Sequence, residues 1–542
     1  MSSNLFGGTY FKALFTMPFF IISRFKLLYP RKIKGFRDIP PANMQLRMKI
    51  IEAASSVYEL FGFKHYETPI LEYAEMLGKF LPDTDSVEEG VYSFRNPEPE
   101  PLYDYTGKEL RDENDHVIME NQFLALRYDL TAPLARLYSE DIFMGVIKNQ
   151  IVSSNPPLFR RYQYGPVFRF EAKLDPGRFR EFWQLDFDTV GSADVATDAE
   201  ATIILAEALQ KIGLNKEDFT VKINNRKLLK GLLASAGVVG DESETAVLRV
   251  LDKVDKIGIN GVEGELGKGR EDLSGAYING LNLDSNFVNK ITGFLEKFSL
   301  LSGRLEVLTE LSKIEAGELF TEGLSELEKI NLFLESSGYP ESLIEFSPAL
   351  VRGMGYYTGP VFEVESSLTY KDSKGKTRKV GSICGGGRYD GLVEKIVGMR
   401  VPATGASIGV DRLAELLTLT GAISTGKVNP VLIVAFDAGL MHEYQKIASE
   451  LRSVGIATEV YYGMNKNLKK QLGYADKNAH PLAVLMGSDE YEKGIVTLRD
   501  LRAGAIKSDE IKDKEEWKKS LQFECSRTDL VTSVKNLLEK SR

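Results

Sequence analysis

Residues 159 to 191, FRRYQYGPVFRFEAKLDPGRFREFWQLDFDTVG, decide the fold. Two runs of alternating apolar and polar residues flank the loop AKLDPGRFR, residues 172 to 180. Alternation with a period of two is typical of a β-strand with one buried face. The segment therefore predicts an antiparallel hairpin with a long loop.

One face of this hairpin is rich in polar side chains. Its predicted members are Val167, Arg169 and Glu171 in the first strand and Phe182, Gln184, Asp186 and Asp188 in the second. The water-exposed side of an antiparallel sheet shows the same pattern, so exposure is the alternative. The neighbouring aromatic residues, Phe168, Phe170, Trp183 and Phe187, leave few faces exposed and favour a polar stripe that lines a cavity.

The length of 542 residues indicates several domains. A strongly periodic helix is predicted from Asn43, its N-cap, to Phe61, with Gly62 as the stop. Its predicted buried face comprises Leu46, Ile50, Ala53, Val57 and Leu60. These patterns predict an α+β domain on an antiparallel sheet over residues 32–417.

Two insertions interrupt that domain. Residues 96–121 contain eight acidic and two basic residues, which predicts an exposed excursion with a small hairpin. Residues from about 228 to 325 predict an inserted helical subdomain. Residues 418–430 have a linker composition, and the alternation of strands and helices over 431–542 predicts a C-terminal α/β domain with a largely parallel sheet.

Charge is distributed unevenly. The net charge is −9, but residues 431–542 hold 18 basic and 17 acidic residues, so any nucleic acid must meet a local patch such as Lys466, Lys469 and Lys470. A solvated helix face is an equally good interpretation of those three lysines. Residues 1–31 form a basic leader that is either disordered or packed, with organellar targeting as the alternative.

Arginines are the candidates for binding phosphate, because no Gly-rich phosphate loop of standard spacing occurs. A guanidinium group stays charged and matches phosphate oxygens with two donors. The five candidates near predicted strand ends are Arg127, Arg169, Arg178, Arg352 and Arg412. Two cysteines and four histidines are too few and too scattered for a usual zinc site, so no protein-held metal is predicted.

Several motifs together resemble those of a known family. KGFRDIPP (34–41), the segment from Val167 to Gln184, and GASIGVDR (405–412) resemble motifs 1, 2 and 3 of the class II aminoacyl-tRNA synthetases. LRYDLT (126–131), VRGMGYYTG (351–359) and GGGRYD (385–390) resemble signatures of histidyl-tRNA synthetase within that class. The resemblance extends over residues 32 to 540 and implies a class II catalytic domain followed by an anticodon-binding domain over 431–542.

The resemblance also implies a reaction and its residues. L-Histidine would be activated with ATP and Mg²⁺ to histidyl-adenylate and then transferred to its tRNA. Arg169 and Arg352 would be catalytic, and ATP would be bound by Arg169, Glu171, Arg178, Arg352 and Arg412. Histidine would be bound by Asp129, Thr131, Gln184, Asp188, Tyr356 and Tyr357.

The same resemblance implies a cytoplasmic homodimer with tRNA(His), L-histidine and ATP as partners and no membrane association. The alternative is a catalytically silent regulatory paralogue from histidine biosynthesis. Such a regulator is expected to lack the C-terminal domain and the phosphate-binding arginines. This chain has Arg169, Arg352, Arg412 and the C-terminal segment, which favours the enzyme.

Overall fold

A computed structural model describes most of the chain. The described residues are 29–78, 90–104, 108–149, 156–170, 174, 177–238, 240–272, 275–351, 357–372, 374–379, 381–423, 429–464, 467–502 and 522–539, without the side chains of 142–149, 241 and 255. The predicted leader, apart from its last residues, and Lys466 lie outside this part. Two compact units divide between Thr425 and Gly426.

The first unit contains a few long strands, many short strands and a set of helices. Its strands are β1 (Lys64–His65), β2 (Leu71–Tyr73), β3 (Ser93–Arg95), β4 (Glu100–Pro101), β5 (Met119–Glu120), β6 (Phe123–Leu126), β7 (Phe159–Phe168), β8 (Glu181–Val190), β9 (Phe219–Asn225), β10 (Gly269–Glu271), β11 (Tyr277–Asn279), β12 (Ile344–Phe346), β13 (Pro360–Ser366), β14 (Thr369–Lys371), β15 (Thr377–Lys379), β16 (Ser382–Arg388) and β17 (Ala403–Gly409). Its helices are α1 (Pro41–Leu60), α2 (Ala74–Gly78), α3 (Thr131–Asn149), α4 (Ala196–Ile212), α5 (Arg226–Ser235), α6 (Asp241–Leu251), α7 (Val254–Leu266), α8 (Ser285–Ser299), α9 (Arg304–Leu311), α10 (Gly317–Ser336), α11 (Glu394–Val397) and α12 (Val410–Thr420).

An eight-stranded sheet forms the centre of this unit, in the order β1-β7-β8-β17-β16-β13-β9-β12. All neighbours from β7 to β9 are antiparallel, and only the edge pairs β1/β7 and β9/β12 are parallel. The predicted hairpin is β7 and β8, and the predicted antiparallel sheet is confirmed. In this sheet, Asp188 lies opposite Arg161 on one side and Gly405 on the other.

Helix α1 differs from its prediction at the start. It begins at Pro41 with Pro40 as N-cap, so the predicted N-cap Asn43 was wrong. Proline suits the first helical turn because its φ is already fixed and the missing N–H would have no partner there. Gly62 follows the helix with φ +82°, as predicted. Leu60 is 83% exposed, whereas Tyr58 is fully buried, so the buried face ends on Tyr58.

The structure describes both segments that were predicted as insertions. The excursion is a small antiparallel meander, with β4 paired to β5 and bridges at Tyr103/Glu109 and Arg111/Val117. The segment predicted as helical contains α5 to α9, the first part of α10 and one short hairpin, β10/β11. Helix α12 continues to Thr420, three residues into the predicted linker.

The second unit contains β18 (Val431–Ile433), β19 (Thr458–Val460), β20 (Leu482–Leu485), β21 (Ile495–Asp500), β22 (Gln522–Ser526), α13 (Met441–Ser453), α14 (Leu468–Lys477), α15 (Ser488–Lys493) and α16 (Leu530–Glu539). Its sheet order is β19-β18-β20-β21-β22. The first three strands are parallel, but β21 and β22 are antiparallel, so the sheet is mixed rather than largely parallel. Residues 486–494 are too few for a parallel crossover, which takes about a dozen residues or more.

Candidate active site

A cavity of about 1080 Å³ lies within the first unit. Phe182, Gln184, Asp186 and Asp188 of β8 all line it, so the polar stripe faces a cavity, as predicted. The remaining predicted residues that line it are Asp129, Thr131, Arg169, Arg178, Tyr357 and Arg412. Glu171, Arg352 and Tyr356 lie outside the described residues.

Arg127 is not part of the cavity lining. Its guanidinium is fully buried and donates to the carbonyl oxygens of Pro166 at 2.8 Å and Thr68 at 2.9 Å. The structure thus gives Arg127 a structural role between the strand ends, and the interpretation as a phosphate-binding group was wrong. Arg127 directly follows the last residue of β6, so its position near a strand end could not distinguish a structural role from a phosphate-binding role.

The inner end of the cavity is acidic. Asp188 is 2% exposed, forms an ion pair with Arg161 at 3.1 Å and accepts a hydrogen bond from the Tyr389 hydroxyl. Burial raises the pKa of Asp188, although the Arg161 charge opposes the shift. Burial also raises the pKa of Tyr389. The hydroxyl of Tyr389 therefore remains a donor and holds one oxygen of Asp188 in place.

Asp186 lies two residues nearer the loop on the same strand face. It is 3% exposed, and burial together with the Asp188 charge raises its pKa to about 7. The hydroxyl of Ser407 accepts the Nε2 donor of Gln184 at 2.9 Å, and its proximity to Asp186 opposes the rise in the pKa of that carboxyl. The contact with Ser407 orients the amide group of Gln184 at the cavity wall.

Asp129 and Thr131 enter the cavity where a strand passes into a helix. Oδ1 of Asp129 accepts the backbone N–H groups of Thr131 at 3.1 Å and Ala132 at 2.9 Å, at the first turn of α3. This is an N-capping arrangement, which satisfies backbone donors that the helix leaves unpaired. One oxygen of Asp129 is therefore already used by the backbone.

Cations line the cavity toward the β7–β8 loop. Arg169 donates from Nε to the carbonyl oxygen of Tyr128 at 3.0 Å and lies over the rings of Tyr128 and Phe182. Gly177 has φ +77°, and a Cβ atom there would lie 3.3 Å from Cγ of Arg412. The loop backbone therefore packs directly on the Arg412 side chain.

Asp411 connects three segments that are distant in sequence. Its Oδ1 accepts from Arg37 at 2.9 Å and from Arg47 at 2.7 Å, and its Oδ2 accepts the backbone N–H of Trp183. Asp411, which directly precedes Arg412, is thereby bonded to α1, to the segment that precedes α1 and to β8.

Two glycines are required by close packing beside the acidic residues. A Cβ atom at Gly405 would lie 2.2 Å from Oδ1 of Asp188, and one at Gly386 would lie 2.3 Å from the carbonyl oxygen of Gly405. Gly385, Gly386 and Gly387 all belong to β16. Larger residues there would displace the backbone beneath the cavity.

Several cavity residues were not assigned from sequence. Asp186, Tyr389 and Ser407 line the cavity, and Arg161 supports it from behind. Tyr389 lies in the motif GGGRYD, and Asp186 lies on the predicted polar face, so both residues could have been assigned to the site from the sequence. The helical insertion also contributes basic side chains to the lining, namely Arg249, Lys253 and Lys256.

The basic and the acidic side chains of the cavity are therefore separated along β8. Arg169, Arg178 and Arg412 lie toward the loop end, and Asp186 and Asp188 lie farther along the strand. Since a strand rises about 3.4 Å per residue, Gln184 and Asp188 are separated by roughly 14 Å along β8. Such a site accommodates an anion at one end and a nitrogen base at the other.

Comparison with known proteins identifies the family. The family model described as histidyl-tRNA synthetase matches residues 100–413, more than half of the chain. The chain belongs to the histidyl-tRNA synthetase family. An anticodon-binding domain model matches residues 430–521, within the second unit.

Curated relatives agree with this assignment. The chain is 42% identical to the histidine–tRNA ligase of a Ruegeria species, over 93% of this chain and 95% of that protein. It is 43% identical to the histidine–tRNA ligase of Paracoccus denitrificans, over 93% of this chain and 97% of that protein. The solved histidyl-tRNA synthetase of a Nostoc species has a TM-score of 0.65 and 26% identity, covering 94% of this chain and all of that one.

These relatives support the class II fold and do not favour the regulatory alternative. The similarity to histidine–tRNA ligases extends over nearly the whole chain, including the anticodon-binding region. Among the described helices, none combines the length and the apolar character needed to cross a membrane.

Proposed function

We infer that this chain is a histidine–tRNA ligase, which joins L-histidine to its tRNA at the expense of ATP. The observation that carries the inference is the polarity of the cavity, with arginines toward the loop and carboxylates at the inner end. Membership of the family supplies the reaction, and ATP is the family's energy-yielding substrate.

The first step would be attack by the histidine carboxylate on the α-phosphorus of ATP, which releases pyrophosphate. Negative charge is distributed over the phosphate oxygens in that step, and fixed guanidinium groups stabilise it. Arg169 is suited to contact both the carboxylate and the α-phosphate, because Tyr128 and Phe182 hold its guanidinium in place. We assign Arg352 to the α-phosphate as well, Arg178 and Arg412 to the outer phosphates, and Glu171 to the adenine side.

The amino acid would then lie along β8. Asp188 and Tyr357 would each meet one imidazole nitrogen, with Tyr356 beside them, while Gln184, Asp129 and Thr131 would face the α-amino group. Since Arg161 and Tyr389 fix Asp188, its carboxylate is held in one orientation. A rigid buried acceptor penalises amino acids that cannot supply a matching donor.

We propose that Mg²⁺ arrives with ATP. Mg²⁺ keeps octahedral oxygen ligation and is usually held by substrate phosphates with one or two carboxylates. In the described part of the chain, no three His, Cys, Asp or Glu side chains are grouped so as to hold a metal ion. The ion would offset phosphate charge, while the arginines position the phosphates.

The second step would be attack by the terminal ribose hydroxyl of tRNA(His) on the activated carbonyl, with release of AMP. We assign recognition of the anticodon to residues 431–542, in line with the match to an anticodon-binding model. We further propose a cytoplasmic homodimer that forms through the motif 1 segment. Organellar targeting by residues 1–31 is the alternative location.

Histidine-dependent exchange of pyrophosphate into ATP tests the activation step with the purified full-length protein. We expect exchange with L-histidine and none above background with the other amino acids. Charging of tRNA(His) transcript tests the second step. Failure of exchange with all twenty amino acids would overturn the proposed function.

A further inference from the structure

Two buried acceptor atoms of the cavity wall make no hydrogen bond within the described part of the chain. They are Oδ1 of Asp186 and Oε1 of Gln184. Asp186 is 3% exposed, and both residues line the cavity. A buried acceptor without a partner is destabilising, so a ligand that supplies donors there gains binding free energy.

Ser407 determines which atoms remain available. A hydroxyl group has one proton and can also accept. Ser407 accepts the Nε2 donor of Gln184 at 2.9 Å. The amide group of Gln184 is thereby oriented with its nitrogen toward Ser407. Its oxygen and Oδ1 of Asp186 remain as the acceptors for a ligand.

The neighbouring carboxylates are less available. Asp188 is engaged by Arg161 and Tyr389, and one oxygen of Asp129 caps α3. Asp186 lies between Gln184 and Asp188 on one strand face, so it reaches the part of the amino acid between its carboxylate and its ring. In that part of the amino acid, the group that carries more than one N–H donor is the α-ammonium group. It has three such donors.

We propose that Asp186 and Gln184, whose amide group is oriented by Ser407, hold the α-ammonium group of the bound amino acid. This inference deepens the proposed function and rests on it. Asp186 supplies the negative charge and Gln184 a second acceptor, while Asp188 remains with the imidazole ring. Asp186 is thus a substrate-binding residue in addition to those expected from sequence.

Equilibrium binding of three ligands to the full-length protein tests the assignment. L-Histidine and histamine carry the ammonium group, whereas imidazolepropionate retains the ring and the carboxylate but lacks it. Loss of a hydrogen bond to a charged group corresponds to about tenfold or more in the dissociation constant. Asp186→Asn should therefore weaken L-histidine and histamine by about tenfold or more and leave imidazolepropionate nearly unchanged.

Asp188→Asn is the matched control, since it should weaken all three ligands. Ser407→Ala should weaken L-histidine without affecting imidazolepropionate, which keeps the test valid if Asp186→Asn folds poorly. Equal weakening of all three ligands by Asp186→Asn would overturn the inference, and so would no weakening of any. If the wild-type protein lacks histidine-dependent exchange, the proposed function fails instead, which is a separate result.

Discussion

Asp186→Asn should stabilise the ligand-free protein by an amount that grows with pH. Burial and the charge of Asp188 raise the pKa of Asp186 from 3.8 to about 7 in the folded protein. Between those two values the folded state holds a proton that the unfolded state has released. The free energy of unfolding therefore falls as pH rises through this interval and becomes constant above about pH 7.

The magnitude follows from the size of the shift. Each pKa unit corresponds to about 1.4 kcal/mol, so a carboxylate shifted to about 7 destabilises the fold by at most about 4 kcal/mol at pH 8. Asparagine has nearly the shape of the neutral acid and removes that penalty. We expect a gain of about 2–4 kcal/mol at pH 8 and almost none at pH 4.

Differential scanning calorimetry of the full chain from pH 4 to 8 measures this change. Asp141→Asn, at an exposed position of α3, is the matched control and should change stability little at any pH. A gain that is the same at all pH values, or a loss at pH 8, would refute the argument. Confirmation would mean that this site retains a destabilising charge for the sake of binding.

Three other predictions concern catalysis. Arg352→Ala should slow adenylate formation in rapid-quench measurements by about a hundredfold without altering the circular dichroism, since a fixed cation at the transferring phosphorus stabilises the transition state; an unchanged rate would make Arg352 structural. Asp188→Ala should raise the KM for histidine in pyrophosphate exchange far more than the KM for ATP, because its carboxylate lies at the acidic end; equal changes would place it outside the imidazole site. A chain ending at Gly426 should retain most of the exchange but lose most tRNA charging, since it lacks the anticodon-binding region; with dimer formation checked by sedimentation, full charging would contradict this division.

Local patterns predicted the elements that position the site, but not their partners. The alternation of apolar and polar residues predicted that Gln184 and Asp188 share one strand face, and both residues line the cavity. The contact of Asp188 with Gly405 depends on pairing between strands far apart in sequence, which no local period encodes. The pairing with Arg161 could have been found by counting register back through the hairpin.

Residues with two chemically reasonable roles were the hardest to assign. Arg127 and Arg169 are both arginines near strand ends, and both donate to backbone carbonyls. Only the fold shows that Arg127 is fully buried outside the cavity lining, whereas Arg169 lines the cavity. Asp129 looked like a free acceptor, although one of its oxygens caps a helix. The sequence shows which donors and acceptors each side chain carries, but the competition for each of them is visible only in the fold.

The bonds of Asp411 have a consequence for how variation in this chain should be interpreted. Arg37 and Arg47 are 374 and 364 positions away in sequence, yet both bond to the residue next to Arg412. A substitution at either arginine leaves a buried carboxylate short of a partner and loosens the start of α12. Its first measurable effect should be weaker nucleotide affinity, because Arg412 belongs to the proposed ATP site. Arg37 and Arg47 would then support that site from the N-terminal segment.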